Sequence, residues 1–150
     1  MKNNFDNVPF NIFAEEEINV EFYELDPLHI VWHGNYINYF EKGRRCLLQK
    51  IKYDYDEMKE SCYAFPIIEI SAKYIRPLNY NDNAIVKAIL MEYENRLRIK
   101  YEIRNKKTGV ITTTGLSTQM AVNMKTYESC FICPRDLTDK VQVLINEEKQ

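Results

Sequence analysis

A single tryptophan, two histidines and four glycines are all that 150 residues hold of three residue types that often carry function. The glycines and five prolines are too scattered to form a linker, and no internal repeat breaks the chain. One domain over residues 1–150 is therefore expected, long enough for a real core. Basic excess is also missing: 20 Lys and Arg face 22 Asp and Glu, which argues against nucleic acid as a partner. No apolar run approaches the roughly 20 residues that span a bilayer, so no membrane span is expected. The opening "MKNNFDNVPFNIFAEEE" lacks the continuous apolar stretch of a signal peptide, and a cytoplasmic protein is expected. Of the four cysteines, Cys130 and Cys133 form one CxxC, with neither a second CxxC nor a paired-histidine motif to complete a zinc site. They are expected to pack as reduced thiols in a C-terminal tail over residues 124–150, with no metal and no cofactor.

What is present is periodic pattern and tyrosine, eleven of them. Residues 1–14 look like a loose N-terminal arm. From Glu16 apolar residues alternate through Ile18, Val20 and Phe22, the mark of a half-buried strand running to Asp26-Pro27. From Asn35 the period changes. Tyr36, Phe40, Gly43, Leu47 and Ile51 fall on one face of a helix that Asn35 would cap and that fades near Tyr55. Gly43 on the buried face predicts close approach of a sheet. Four strands follow, over residues 65–77, 84–93, 96–104 and 110–122, with a hairpin turn ending at Gly109 and a bulge expected at Gly115. Arg98, Lys100 and Arg104 read as a solvated strand face. Leu137–Glu148 could close the chain as a short helix.

Strand, long helix, then hairpin-linked strands predicts an α+β fold: an antiparallel sheet of about five strands wrapped around one long central helix. One helix cannot cover both faces of such a sheet. The open face and edge predict a second subunit.

Both histidines and the tryptophan sit in the connector between strand and helix, "LDPLHIVWHGNYINY". Asp26 lies near the strand end, and His33 and Gly34 just before the helix. The free amides and dipole of a helix N-terminus favour an oxyanion. A carboxylate beside such donors suits hydrolysis of an activated acyl group. On these grounds alone a helix-entry or Asx-turn residue at Asp-Pro is the favoured reading of Asp26.

The stretch "EFYELDPLHIVWHGNYINYFEKGR" resembles the 4-hydroxybenzoyl-CoA thioesterase-like, Tol-Pal-associated branch of the hotdog-fold superfamily. Asp26, Val31, His33, Tyr36, Tyr39, Glu41 and Arg44 match its pattern, and a second block matches at Tyr74, Arg76, Pro77 and Asp82. The resemblance covers about residues 16–123. It implies an acyl-CoA thioesterase acting as a homodimer or homotetramer, with an acyl-ACP thioesterase or a non-catalytic acyl-binding dimer as alternatives.

The resemblance further implies that Asp26 is the nucleophile or general base. Amides around His33, Gly34 and Asn35 would polarise the thioester carbonyl, with His33 flanking the acyl group. Glu41 is the second candidate carboxylate, its alternative being a helical carboxylate that bonds the connector's backbone. Trp32 and Tyr36 would wall the pocket, and Lys73, Arg76 and Lys87 would meet CoA phosphates. One position departs: the family glycine three residues after the aspartate is His29 here, which must either adopt that glycine's backbone angle or fill part of the pocket.

Overall fold

In the computed structural model, which describes residues 8–150, the chain is α+β. Five strands form one antiparallel sheet: β1 (Phe13–Asn19), β3 (Ile67–Tyr74), β4 (Asn83–Glu92), β5 (Leu97–Asn105) and β6 (Ile111–Gln119). Their spatial order is β1-β4-β5-β6-β3, which leaves β1 and β3 at the edges. A smaller three-stranded sheet joins β2 (Tyr63–Ala64), β7 (Ala121–Asn123) and β8 (Ser129–Cys130) in the order β2-β7-β8. The helices are α1 (Asn35–Ile51), α2 (Tyr55–Glu60) and α3 (Arg135–Glu148). Among the described residues, no helix is long and apolar enough to cross a membrane.

Helix α1 packs on β1, β4 and β5. Tyr36, Phe40, Gly43, Leu47 and Ile51 are all buried, as the helical period predicted. Gly43 sits where a Cβ would lie 2.9 Å from Val86 and 3.4 Å from Ala88, so the small residue lets the helix settle onto β4. Alternate residues of β4, Ala84, Val86, Ala88 and Leu90, are completely buried. Burying such side chains is worth roughly 1.5–3 kcal/mol each for the larger ones, which ties helix to sheet.

Several boundaries differ from the sequence reading. Of the arm expected over residues 1–14, residues 1–7 lie outside the described ones, while Phe13 and Ala14 belong to β1 and Ile12 is buried. Strand β1 ends at Asn19, and Phe22–Glu24 is a single 3-10 turn. Phe22 and Tyr23 are exposed, so the alternation there reflects no sheet face. Helix α1 stops at Ile51 rather than near Tyr55 because Lys52 turns left-handed, and the polar residues that follow make α2, capped by Asp54 and Glu57.

Gly115 is no bulge. It pairs in register with both Ala72 and Tyr101. Its missing side chain makes room for Phe40, whose ring would lie 2.5 Å from a Cβ there, and that ring stacks on Tyr101 with centroids 4.6 Å apart. The charged stripe on β5 is not freely solvated either. Arg98 is buried and Arg104 Nη2 bonds Glu15 Oε2 at 2.9 Å.

The expected tail contains β8 and α3, whose Leu137, Val141 and Ile145 are buried. Cys133 is buried before α3, and its backbone N–H donates to Glu94 O at 2.7 Å. Burial pushes its thiol up to about 12. Among the described residues, no group of three or more His, Cys, Asp or Glu is placed to hold a metal ion.

Two outcomes test this packing. Gly115→Ala should cost about 1–3 kcal/mol by overpacking Phe40, read as a lowered urea midpoint; an unchanged midpoint would show that Phe40 yields freely. Cys133, protonated at pH 8, should resist iodoacetamide until the chain is denatured. Native labelling of Cys133 as fast as of half-buried Cys130 would contradict its burial.

Candidate functional site

The connector between β1 and α1 is folded by its own short hydrogen bonds. Leu25 bridges Val31, Asp26 N–H donates to Ile30 O at 2.8 Å, and His29 N–H donates to Asp26 O at 2.9 Å. This is a three-residue hairpin loop, Pro27 to His29, closing on a left-handed residue. That residue is His29, with φ 63°. Glycine is favoured at such a position, and histidine is one of the side chains that tolerates it better than most. His29 adopts the backbone angle and leaves its side chain exposed at the tip.

Asp26 has two oxygens with different fates. Oδ1 accepts the Leu28 N–H at 2.8 Å, a true Asx-turn. Among the described residues, Oδ2 makes no hydrogen bond or ion pair. The half-buried carboxylate lines a cleft of about 360 Å³. From the connector and α1, Ile30, Val31, His33 and Tyr36 line the same cleft. From the segment after β3 come Tyr74, Ile75, Arg76 and Pro77. The two sequence motifs thus form opposite walls of one space.

A seam of polar contacts holds those walls together. Val31 N–H donates to Leu78 O at 2.9 Å, and Ile30 bridges Asn79. Leu78 N–H donates to the Tyr36 hydroxyl at 3.3 Å. Burial is the main reason that this hydroxyl titrates above its ordinary value. The Tyr74 hydroxyl donates to His33 O at 2.8 Å, and its ring meets Tyr36 edge-on at 5.2 Å.

Where the chain enters α1, Gly34 rather than Asn35 is the N-cap, and no side chain caps the helix. Asn35 is the first helical residue. Its backbone N–H donates to Trp32 O at 2.9 Å and its side-chain amide to Glu24 O at 2.8 Å. That leaves the N–H groups of His33 and Gly34 without protein acceptors among the described residues. Trp32, half exposed, folds over Gly34: a Cβ there would lie 2.2 Å from the indole.

Not every residue singled out in the sequence reaches the cleft. Glu41 pairs with buried Arg44 on α1 and is not among the lining residues. Lys73 is exposed on edge strand β3, and Lys87 lies over the Phe13 ring at 4.3 Å, on the face of β4 away from the core. Arg76 lines the cleft with no carboxylate partner among the described residues. The sequence reading missed Glu24, a buried carboxylate behind the connector that accepts from Glu21 N–H at 2.8 Å. Burial first, and then Glu24, pushes the Tyr39 hydroxyl far above its ordinary range. It also gave no role to Tyr74, although that residue stood in the second motif.

Comparison with known proteins bears on the family of the chain. The model of a family described as the Thioesterase-like superfamily matches residues 20–141. The Bacillus subtilis protein named "Putative acyl-CoA thioesterase YneP" is 27% identical over 116 residues, 77% of this chain and 83% of that one. The chloroplastic acyl-acyl carrier protein thioesterase ATL3 of Arabidopsis thaliana is 38% identical over 76 residues, which span 51% of this chain and 40% of that relative. The crystal structure of DHNA-CoA thioesterase from Staphylococcus aureus superposes with a TM-score of 0.76, covering 92% of this chain and 96% of that one at 27% identity. With the family match spanning both walls of the cleft, the chain belongs to the Thioesterase-like superfamily of hotdog-fold proteins.

Proposed function

We propose that the protein is a cytoplasmic acyl-CoA thioesterase of the 4-hydroxybenzoyl-CoA thioesterase-like kind, a single hotdog domain whose sheet wraps α1. One observation carries this reading: among the described residues, a carboxylate oxygen of Asp26 is left free at a cleft that His33 also lines, and the amides of His33 and its neighbour Gly34 have no protein acceptors. The thioester carbonyl oxygen accepts from those amides, which stabilise the oxyanion as it forms. Asp26 Oδ2 either takes a proton from the attacking water or attacks the carbonyl itself, giving an anhydride that water then hydrolyses. The carbon–sulfur bond breaks, and the products are the carboxylic acid and the CoA thiol. The reaction asks for no metal or cofactor. His33 and Tyr36 flank the acyl group, and Arg76 is suited to a phosphate of CoA.

Glu41 is the weaker candidate. Its carboxylate neutralises Arg44, which is nearly buried beside Tyr101 and Tyr55. Recruiting it for chemistry would strip a buried guanidinium of its partner, a loss of several kcal/mol.

A second reading, hydrolysis of acyl-ACP, is favoured by the identity to ATL3. It leaves the site chemistry unchanged and differs only in the carrier. We further propose that a second copy pairs along β3, whose outer edge is open and whose Ile68 and Tyr74 are about half exposed.

Asp26→Asn keeps an oxygen to accept the Leu28 N–H, so the turn should survive. Turnover of a responsive acyl-CoA should nevertheless fall about 10²–10⁴-fold, measured by thiol release. Turnover near the wild-type rate would sink the mechanism, and faster turnover of acyl-ACP than of acyl-CoA would favour the second reading. Ile68→Lys on β3 should halve the mass measured by sedimentation; an unchanged mass would exclude that edge as the dimer seam.

A further inference from the structure

Helix α1 turns its apolar face to the sheet and leaves one stripe to solvent. At the helical spacing of three and four, that stripe is Asn38, Lys42, Arg45 and Gln49, continued at the C-cap by Lys52, and all five are exposed. It holds three cations and no carboxylate. The whole helix carries four basic residues and one acidic one, Glu41, in a chain whose net charge is −2. Glu41 is at the margin of the stripe and is paired with Arg44.

The fold itself makes little use of these cations. Among the described residues, the Lys42 and Lys52 side chains make no ion pair, and Arg45 meets one carboxylate, Asp54, at 3.7 Å with its own side chain 67% exposed. The helix dipole does not ask for them either: its pull on cations is confined to the last turn, and Lys42 and Arg45 sit in mid-helix.

The stripe starts one turn beyond the connector that brings His33 to the cleft. At 1.5 Å per residue, Lys42 is about 10 Å along the axis from Asn35, Arg45 about 15 Å and Lys52 about 25 Å. An activated acyl group is carried on a nucleotide or on a protein. The phosphates of a nucleotide form one compact cluster, and Arg76 at the cleft suits that. Cations set in a row along several turns suit carboxylates spread over a protein surface. The stripe offers no apolar residue to bury in lipid, so an anionic membrane fits it poorly.

We propose that the exposed face of α1 is the docking surface for an acidic carrier protein that delivers the acyl group on a flexible thiol arm. This rests on the thioesterase reading above, in its carrier-protein form. Docking beside the cleft keeps the tethered thioester at high effective concentration, so the stripe favours encounter and affinity while touching none of the reacting atoms.

Lys42→Glu combined with Arg45→Gln tests this. Both side chains are exposed, and glutamine at 45 avoids setting a second carboxylate against Asp54. One acyl group is presented on an acidic acyl carrier protein and on CoA. The double variant should lose about 10-fold or more in kcat/KM for the carrier-protein substrate, mostly through KM, and stay within about twofold for acyl-CoA. Added salt should slow the wild type on the carrier-protein substrate and affect the variant far less. Equal losses on both substrates, no loss on either, or a wild type that turns over acyl-CoA and ignores acyl-ACP would overturn the proposal. A second readout needs no turnover. In an NMR titration with the unacylated holo carrier protein, amides between Asn38 and Lys52 should shift in the wild type and stay in place in the variant. Shifts confined to other surfaces would overturn the proposal, as would stripe-dependent binding to phosphatidylserine vesicles with none to the carrier. If the wild-type protein released no thiol from any thioester, the thioesterase reading would fail on its own, and the titration would still decide whether α1 binds the carrier.

Discussion

The candidate site depends on the seam between the connector and the segment that leaves β3. Four contacts make it: Val31 to Leu78, Ile30 to Asn79, Leu78 to the Tyr36 hydroxyl, and Tyr74 to His33 O. Each uses backbone on at least one side, so the seam tolerates change in many side chains while fixing the chain's path. Its strength comes from burial. Val31, Tyr36 and Leu78 are all nearly inaccessible, and a polar contact among such residues is costly to leave unmade. With the seam in place, the Asp26 turn and the entry of α1 face the segment after β3 across a cleft; without it, the two motifs would be unrelated loops.

Much of this was legible in the sequence, for identifiable reasons. The face of α1 could be read because its apolar residues repeat with helical spacing and pack against one surface. Gly43 could be read because a glycine in mid-helix has few other uses. Asp26 and His33 drew attention as polar residues concentrated where the pattern changes, and both line the cleft. What could not be read was any feature set by long-range contact. Gly115 looked like a bulge because strand glycines often mark one, yet its purpose is the Phe40 ring, 75 residues earlier in the chain. The small sheet of β2, β7 and β8 has strands of two or three residues, too short for any alternation to show. Phe22 continued an alternating pattern by coincidence, since the strand had already ended at Asn19.

His29 shows how a mismatch can be resolved by geometry. The resemblance sets a glycine at this position, and His29 adopts there the left-handed backbone that glycine favours, with φ 63°. The cost of a Cβ there is about 1–2 kcal/mol, affordable for a hairpin closed by bonds on both sides of it. Because its side chain is exposed at the tip and does not line the cleft, the substitution changes the turn's stability rather than the cavity's volume.

Asp26 was open to two readings, a turn former and a reacting group, and they do not compete. Oδ1 closes the Asx-turn and thereby fixes the rotation of the side chain; Oδ2 is left over. A carboxylate tethered by one oxygen presents the other in a defined direction, which a freely rotating side chain would not do. The same logic applies farther along the connector, where each peptide unit around His33 is held by its oxygen and keeps its N–H without a protein acceptor among the described residues. At both places one atom of a polar group is spent on structure while its neighbour is left without a partner among the described residues. That shared arrangement is what makes this cleft, rather than the other concave surfaces of the molecule, the place where chemistry on a polarised carbonyl can be expected.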